Sequence, residues 1–112
     1  MSAQARLSDL DIDKVIHEKA RLLVLTYLAS SDSPETGFTE LRDALLMTSG
    51  NLSIQLRTLE VAGYIGITKS YKDNKPYTGI KLSVEGRKAL DGYLGTLETI
   101  LAMARPARKE AP

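Results

Sequence analysis

The chain has 112 residues, with 15 Lys plus Arg, 14 Asp plus Glu, one His and no Cys. That length accommodates one domain around one core. Without Cys there is no disulfide frame, thiolate nucleophile or Cys-based zinc site, and a lone His cannot form a His-pair metal motif.

Residues 1–8 are polar and unpatterned. Met1 to Arg6 lacks the apolar centre of a signal peptide, and no apolar run reaches the roughly 18 residues of a membrane span. A cytoplasmic protein with no membrane partner is expected. Asp11 or Asp13 can cap a short helix ending near Ile16. A longer helix is predicted over 18–30, with Ala20, Leu23, Val24, Tyr27 and Leu28 as its inward stripe. Leu22 and Leu25 fall off that stripe, which implies cover on more than one side. Residues 31–37, rich in Ser, Asp, Pro and Gly, read as a loop.

Thr39 is placed to cap a short helix over 40–46, with Leu41, Ala44 and Leu45 inward. Thr48 or Ser49 caps the next, over 50–62, and Gly63 stops it. Strands are predicted at 65–71 and 77–82 around a turn at 72–76, so the two form a hairpin. Ser83 caps a last helix running to Ala104, with Glu85 in its first turn to suit the dipole. Two helices joined by a short turn, then a hairpin, have the layout of a helix-turn-helix followed by a wing. The expected organisation is a single domain over 1–112. Its core spans about 10–82 and includes the wing at 65–82; a C-terminal helix covers 83–104 and a tail 105–112.

Charge follows this layout. Residues 1–48 carry five basic and eight acidic side chains, whereas residues 49–81 carry five basic and two acidic. A basic stretch on a near-neutral chain points to a local anionic partner, with an ordinary solvated face as the plain alternative.

The stretch from Phe38 to Ile65 resembles the core of winged helix-turn-helix regulators of the MarR/ArsR-like superfamily. More closely, the chain is similar to small winged-helix DNA-binding domain proteins of archaea and bacteria. The likeness rests on Val15-Ile16-His17-Glu18, on Gly50-Asn51-Leu52-Ser53, and on Leu56-Arg57 through Leu59-Glu60 to Ala62-Gly63-Tyr64. It covers about residues 10–103. The fold it implies is mainly α with a small β-hairpin wing (α+β), a winged helix-turn-helix with N- and C-terminal dimerisation helices. The function it implies is a dimeric transcription factor on double-stranded DNA. Relatives that sense metals or oxidants through Cys are not matched, since the chain has none.

Within helix 50–62, Leu52, Leu56 and Leu59 share the buried face, with Gly63 beneath them. The outward face holds Gly50, Ile54, Arg57, Thr58 and Val61, flanked by Asn51 and Ser53. Ile54 can meet a thymine methyl group, or is simply one exposed apolar residue. Asn51 can read adenine or cap the helix. Thr48 and Ser49 can hold a phosphate at the helix start, and Gly50 permits close approach. Arg57 suits a phosphate better than a guanine. Gln55 flanks the buried face, within reach of the preceding helix. On the hairpin, Lys69, Lys72 and Lys75 can meet phosphates or the minor groove, or serve as edge-strand charges.

In the last helix Leu90, Leu94, Leu97, Leu101 and Ala104 step by four and three, widened by Tyr93 and Ile100. That is the seam of paired helices, and a homodimer is expected, with packing on the chain's own domain as the alternative. A two-fold dimer would set recognition helices about 34 Å apart. An unidentified small-molecule or protein effector that alters the dimer angle would change affinity. His17 suits a hydrogen bond at a helix junction. Asp9, Asp11 and Asp13 suit a helix start better than a cation. No nucleophile–base pair, phosphate loop or metal motif is present, so neither an enzyme nor a cofactor is expected. The expected function is a sequence-specific regulator, more a repressor than an activator. A winged-helix protein-interaction adaptor that does not bind DNA is the alternative.

Overall fold

The computed structural model describes residues 8–105, so the expected polar start up to residue 7 and the tail from 106 lie outside it. The described residues form α1 (Lys19–Ser30), β1 (Thr36–Gly37), α2 (Phe38–Ala44), α3 (Ser49–Val61), β2 (Ile65–Lys72), β3 (Lys75–Leu82) and α4 (Val84–Ala104). The sheet has the order β1-β3-β2 and is antiparallel throughout.

The short helix expected before residue 17 is one turn only. Asp13 Oδ1 accepts from the backbone N–H of Val15 and Ile16 at 2.8 and 3.1 Å. His17 N–H closes the turn on Asp13 O at 2.8 Å. Glu18 then caps α1, accepting from Arg21 N–H at 2.9 Å. One capped turn has too few hydrogen bonds to propagate as a helix.

Within α1, Val24, Leu25 and Leu28 are buried, while Leu23, expected inward, is exposed. The stripe is rotated because α1 packs on β3, α3 and α4 together. Leu52, Leu56 and Leu59 of α3 face it, as their spacing predicts, and Ile16, Leu41, Ile65 and Ile80 close the core.

Two elements differ at their edges. Thr36-Gly37, expected as loop, pairs with Ile80 and Gly79. A two-residue strand has no sequence period of its own and exists only through its partner. The helix at α2 begins one residue before Thr39, with Gly37 as its cap position and no side-chain cap bond. The hairpin is longer and tighter than expected. Lys72 pairs with Lys75 across Asp73-Asn74, both at positive φ (52° and 64°). Asp and Asn tolerate that left-handed backbone, and a turn with both central residues there matches the strand twist. Pro76 is accommodated opposite Tyr71, next to the closing pair, where a strand residue donates no N–H to its hairpin partner.

Gly63 ends α3 in the left-handed region (φ 84°), as predicted, with Tyr64 N–H returning to Leu59 O at 3.0 Å. The Ser83 hydroxyl donates to Gly63 O at 2.6 Å and accepts from Gly86 N–H at 2.9 Å. One residue thus ties the end of α3 to the start of α4. Farther along α4, Leu90 and Tyr93 lie inside the chain's own core, and Tyr93 shares a 2.8 Å hydrogen bond with His17 Nδ1. Those two were expected on the seam between copies. The heptad spacing is real, but its first turns face α1 and residues 16–17 of the same chain. Leu97 and Ile100 are half-buried, and Leu94, Leu101 and Ala104 are exposed.

Tyr64 donates to Asp13 Oδ2 at 2.5 Å, and this bond, aided by burial and by the Asp13 charge, pushes its pKa up to about 12. A folded-state pKa above the unfolded value of 10 means stability that is full below pH ~10 and is lost as pH rises towards ~12. Tyr64→Phe should therefore flatten the alkaline limb of stability against pH. At neutral pH it should lower stability by about 1 kcal/mol in urea unfolding.

Candidate nucleic-acid interface

Helix α3 starts at a cap that the sequence left open. Thr48 Oγ1 accepts from Asn51 N–H at 3.0 Å, so Thr48 is the cap. Ser49 instead accepts from Arg42 Nη1 at 3.0 Å, and Arg42 is also paired with Asp43 at 3.0 Å. Arg42 thereby sits at the start of α3. No local pattern marks it, because the contact spans the turn between two helices. Thr48→Ala should lower stability by about 1 kcal/mol through the lost cap, measurable as a shift in urea midpoint.

Asn51 is exposed, and its carboxamide oxygen accepts from Gln55 Nε2 at 3.0 Å. Gln55 Oε1 in turn accepts from Arg21 Nη1 at 2.9 Å, a bond to α1 and not the one to the preceding helix α2 expected of Gln55. This chain of bonds orients Asn51 from below. The oxygen's second lone pair and the NH2 group remain for a base edge.

The outward face of α3 is as its period predicts. Gly50, Ser53 and Arg57 are exposed, Ile54 is 65% exposed and Val61 77%. Thr58 differs: it is half-buried, and its hydroxyl bonds back to Ile54 O at 3.3 Å, which leaves it less to offer a ligand. Leu46, in the turn between α2 and α3, is 92% exposed with φ 54°. Leucine rarely adopts that backbone, and neither property was evident from the sequence.

Strand register divides the wing lysines. Lys69 lies opposite Thr78 and two residues from Ile67, on the sheet face shared with buried Ile65. Lys72 and Lys75 lie opposite each other on the other face. Lys72 is held there, with Nζ 4.0 Å from Glu35 Oε1 and 4.1 Å from the centroid of Tyr77. A groove of about 450 Å³ runs between α3 and the wing. Phe38, Leu56 and Ile67 line it together with Ser53, Arg57, Glu60, Lys69 and Thr78. The structure thus brings Arg57, Ser53 and Lys69 to one groove, and leaves Lys72 and Lys75 outside it. Two cations flanking an apolar-floored cleft beside an exposed helix can grip a polyanion while the helix face meets its neighbouring groups.

Among the described residues no group of His, Asp and Glu is placed to hold a metal ion, and no helix is long and apolar enough to cross a membrane.

Over residues 20–101 the chain matches the family described as winged helix DNA-binding domain. It is 31% identical over 81 residues to an uncharacterized protein of Methanocaldococcus jannaschii, an alignment covering 72% of this chain and 86% of that one. Its fold is similar to that of a transcriptional regulator homologue from Pyrococcus horikoshii, with a TM-score of 0.79 and 20% identity, over 91% of this chain and 99% of the other. It is also similar to S. aureus MepR in a complex with DNA, at a TM-score of 0.63 and 21% identity, over 90% and 77% of the two chains.

Proposed function

The chain belongs to the winged helix DNA-binding domain family, and from that premise we propose that it is a transcriptional regulator that binds double-stranded DNA in the cytoplasm as a homodimeric repressor. The observation that carries this reading is the meeting of the exposed α3 face with Arg57 and Lys69 across one groove. In this reading α3 enters the major groove. Asn51, Ser53 and Ile54 meet base edges, with Gly50 allowing close approach. Arg57 and Lys69 take backbone phosphates. Ser49 and Arg42 take the phosphate nearest the helix start. Lys75, exposed beside the tight turn, reaches the backbone farther out. Lys72 contributes less, because Glu35 and the Tyr77 ring already hold its charge.

The second copy is proposed to pack along the outer half of α4. Leu94 and Leu101 are exposed there, beside half-buried Leu97 and Ile100 and exposed Ala104. Leucines at this spacing form the seam of paired helices. A two-fold pair would present two α3 helices about 34 Å apart and favour a pseudo-palindromic site.

The test is fluorescence anisotropy with a random duplex of ~30 base pairs over a range of salt. The wild type should bind, with affinity falling steeply as salt rises. In Arg57→Ala/Lys69→Ala the slope of log affinity against log salt should be shallower by about 2. A Lys72→Ala control should change it little. No binding at low salt would overturn this reading and favour the adaptor that contacts protein.

A further inference from the structure

The contacts beneath Asn51 fix more than its position. Resting on the reading that α3 enters the major groove, we propose that Arg21 of α1 helps decide which base the helix selects, by setting the direction in which the Asn51 carboxamide is presented. Arg21 is then a positioning residue that acts through Gln55 and touches no base itself.

Arg21 is anchored before it meets α3. Its Nε donates to Val15 O at 2.5 Å, and Val15 N–H is held by Asp13 Oδ1 at 2.8 Å. From there Nη1 donates to Gln55 Oε1 at 2.9 Å, and Gln55 Nε2 donates to Asn51 Oδ1 at 3.0 Å. Arg21 and Gln55 are half-buried, whereas Asn51 is exposed. Thr48 Oγ1 accepts from Asn51 N–H at 3.0 Å, so the backbone of Asn51 is held as well as its side chain.

A free carboxamide can turn over and exchange its oxygen for its NH2 group. A guanidinium has no such choice, because every polar group it carries is a donor. The atom of Gln55 that faces Arg21 must therefore be oxygen. Its NH2 group then faces Asn51, and the atom of Asn51 that meets it must again be oxygen. Turning both carboxamides over would set an NH2 group against a cation. Polarity thus passes from α1 to the outward face of α3. Asn51 is left with both N–H bonds and one lone pair for the duplex. Turned over, it would offer one N–H and two lone pairs, in exchanged places. Base pairs in the major groove differ in the order of their donors and acceptors, so a fixed carboxamide discriminates among them and a free one does so less.

The test selects preferred sites from duplexes with a randomised centre, using the full-length wild type. Anisotropy then compares the selected duplex with its single-base-pair variants. Asn51→Ala marks the base pair that Asn51 reads, by flattening the preference there alone. The wild-type preference at that pair should be at least about fivefold, the low end for one good side-chain–base contact. Arg21→Met removes the donor. It should reduce that preference to less than about twofold and leave the preferences at other positions intact. Gln55→Glu keeps a partner for Arg21 but presents an acceptor to Asn51, which turns the Asn51 carboxamide over. The preferred base at that pair should then change. This variant retains the Arg21 contact and serves if Arg21→Met is unstable. Altered charge shifts affinity for every duplex alike, so it cancels in these ratios. Failure of the wild type to bind any duplex at low salt would overturn the DNA-binding reading and this inference with it. Three results on a wild type that binds would overturn this inference alone: Asn51→Ala with wild-type preferences, Arg21→Met and Gln55→Glu both with wild-type preferences, or Arg21→Met weakened equally at every position.

Discussion

Replacing Gly86 by Ala should lower stability by about 3 kcal/mol, at the upper end of what overpacking does. A Cβ at Gly86 would lie 2.0 Å from Tyr64 O and 2.9 Å from Leu82 Cδ1. The nearer atom is backbone and is held in place, since Tyr64 O accepts from Ser83 N–H at 3.0 Å. Relief therefore requires α4 to back away from the end of α3. That movement strains the Ser83 bonds to Gly63 and Gly86 and loosens Leu90 and Tyr93 in the core. A loss of this size is a large part of the ~5–15 kcal/mol that holds a typical domain folded. Gly92, on the same helix, is the control. Nothing lies within 4 Å of a Cβ there. Gly92→Ala should raise stability by about 0.5–1 kcal/mol through helix propensity alone. Urea unfolding of the two variants measures both effects. A Gly86→Ala protein as stable as the wild type would show that α4 does not approach Tyr64 this closely.

Ile54→Glu should reduce affinity for duplex DNA by at least about 100-fold while leaving stability within ~0.5 kcal/mol of wild type. The side chain is largely in solvent, so a carboxylate there meets no folding penalty. On the bound duplex it would stand among phosphates and base edges without a cation to pair it, and like charges at an interface repel strongly. Val61→Glu makes the useful comparison. Val61 is still more exposed but two turns closer to the C-terminal end of α3, so a weaker effect is expected. Anisotropy titration at one fixed salt concentration reads both. If Ile54→Glu bound as tightly as the wild type, α3 would not be the groove-facing helix, and the exposed Ile54, Val61 and Leu46 would point instead to a protein partner.

The groove between α3 and the wing shows how far the functional surface was legible from the residues. The outward face of α3 follows from one helical period, and Ile54, Ser53 and Arg57 lie where that period puts them. The wing lysines do not follow so simply. They cluster in sequence, but a strand alternates faces every residue, so register decides which of them faces α3. A turn of five residues, as expected, would leave that register open. The observed two-residue turn sets Lys72 opposite Lys75 and Lys69 opposite Thr78. Glu35, reaching Lys72 from a segment that reads as loop, carries no local signal at all.

The sequence by itself determined the elements whose signals are local. The cap at Ser83, the glycine stop at Gly63 and the Leu52-Leu56-Leu59 stripe each act within a few residues, through backbone hydrogen bonds or one helical face. Tertiary structure decided what depends on a partner distant in the chain. It drew Thr36-Gly37 into the sheet against β3, rotated the buried stripe of α1 beneath three neighbours and closed the Asp13–Tyr64 bond. It also divided the α4 heptad, because a leucine repeat states only that one face is apolar. Which apolar surface covers each turn depends on where the helix passes the core: Leu90 and Tyr93 meet α1 and residues 16–17, while Leu94 and Leu101, beyond their reach, remain in solvent.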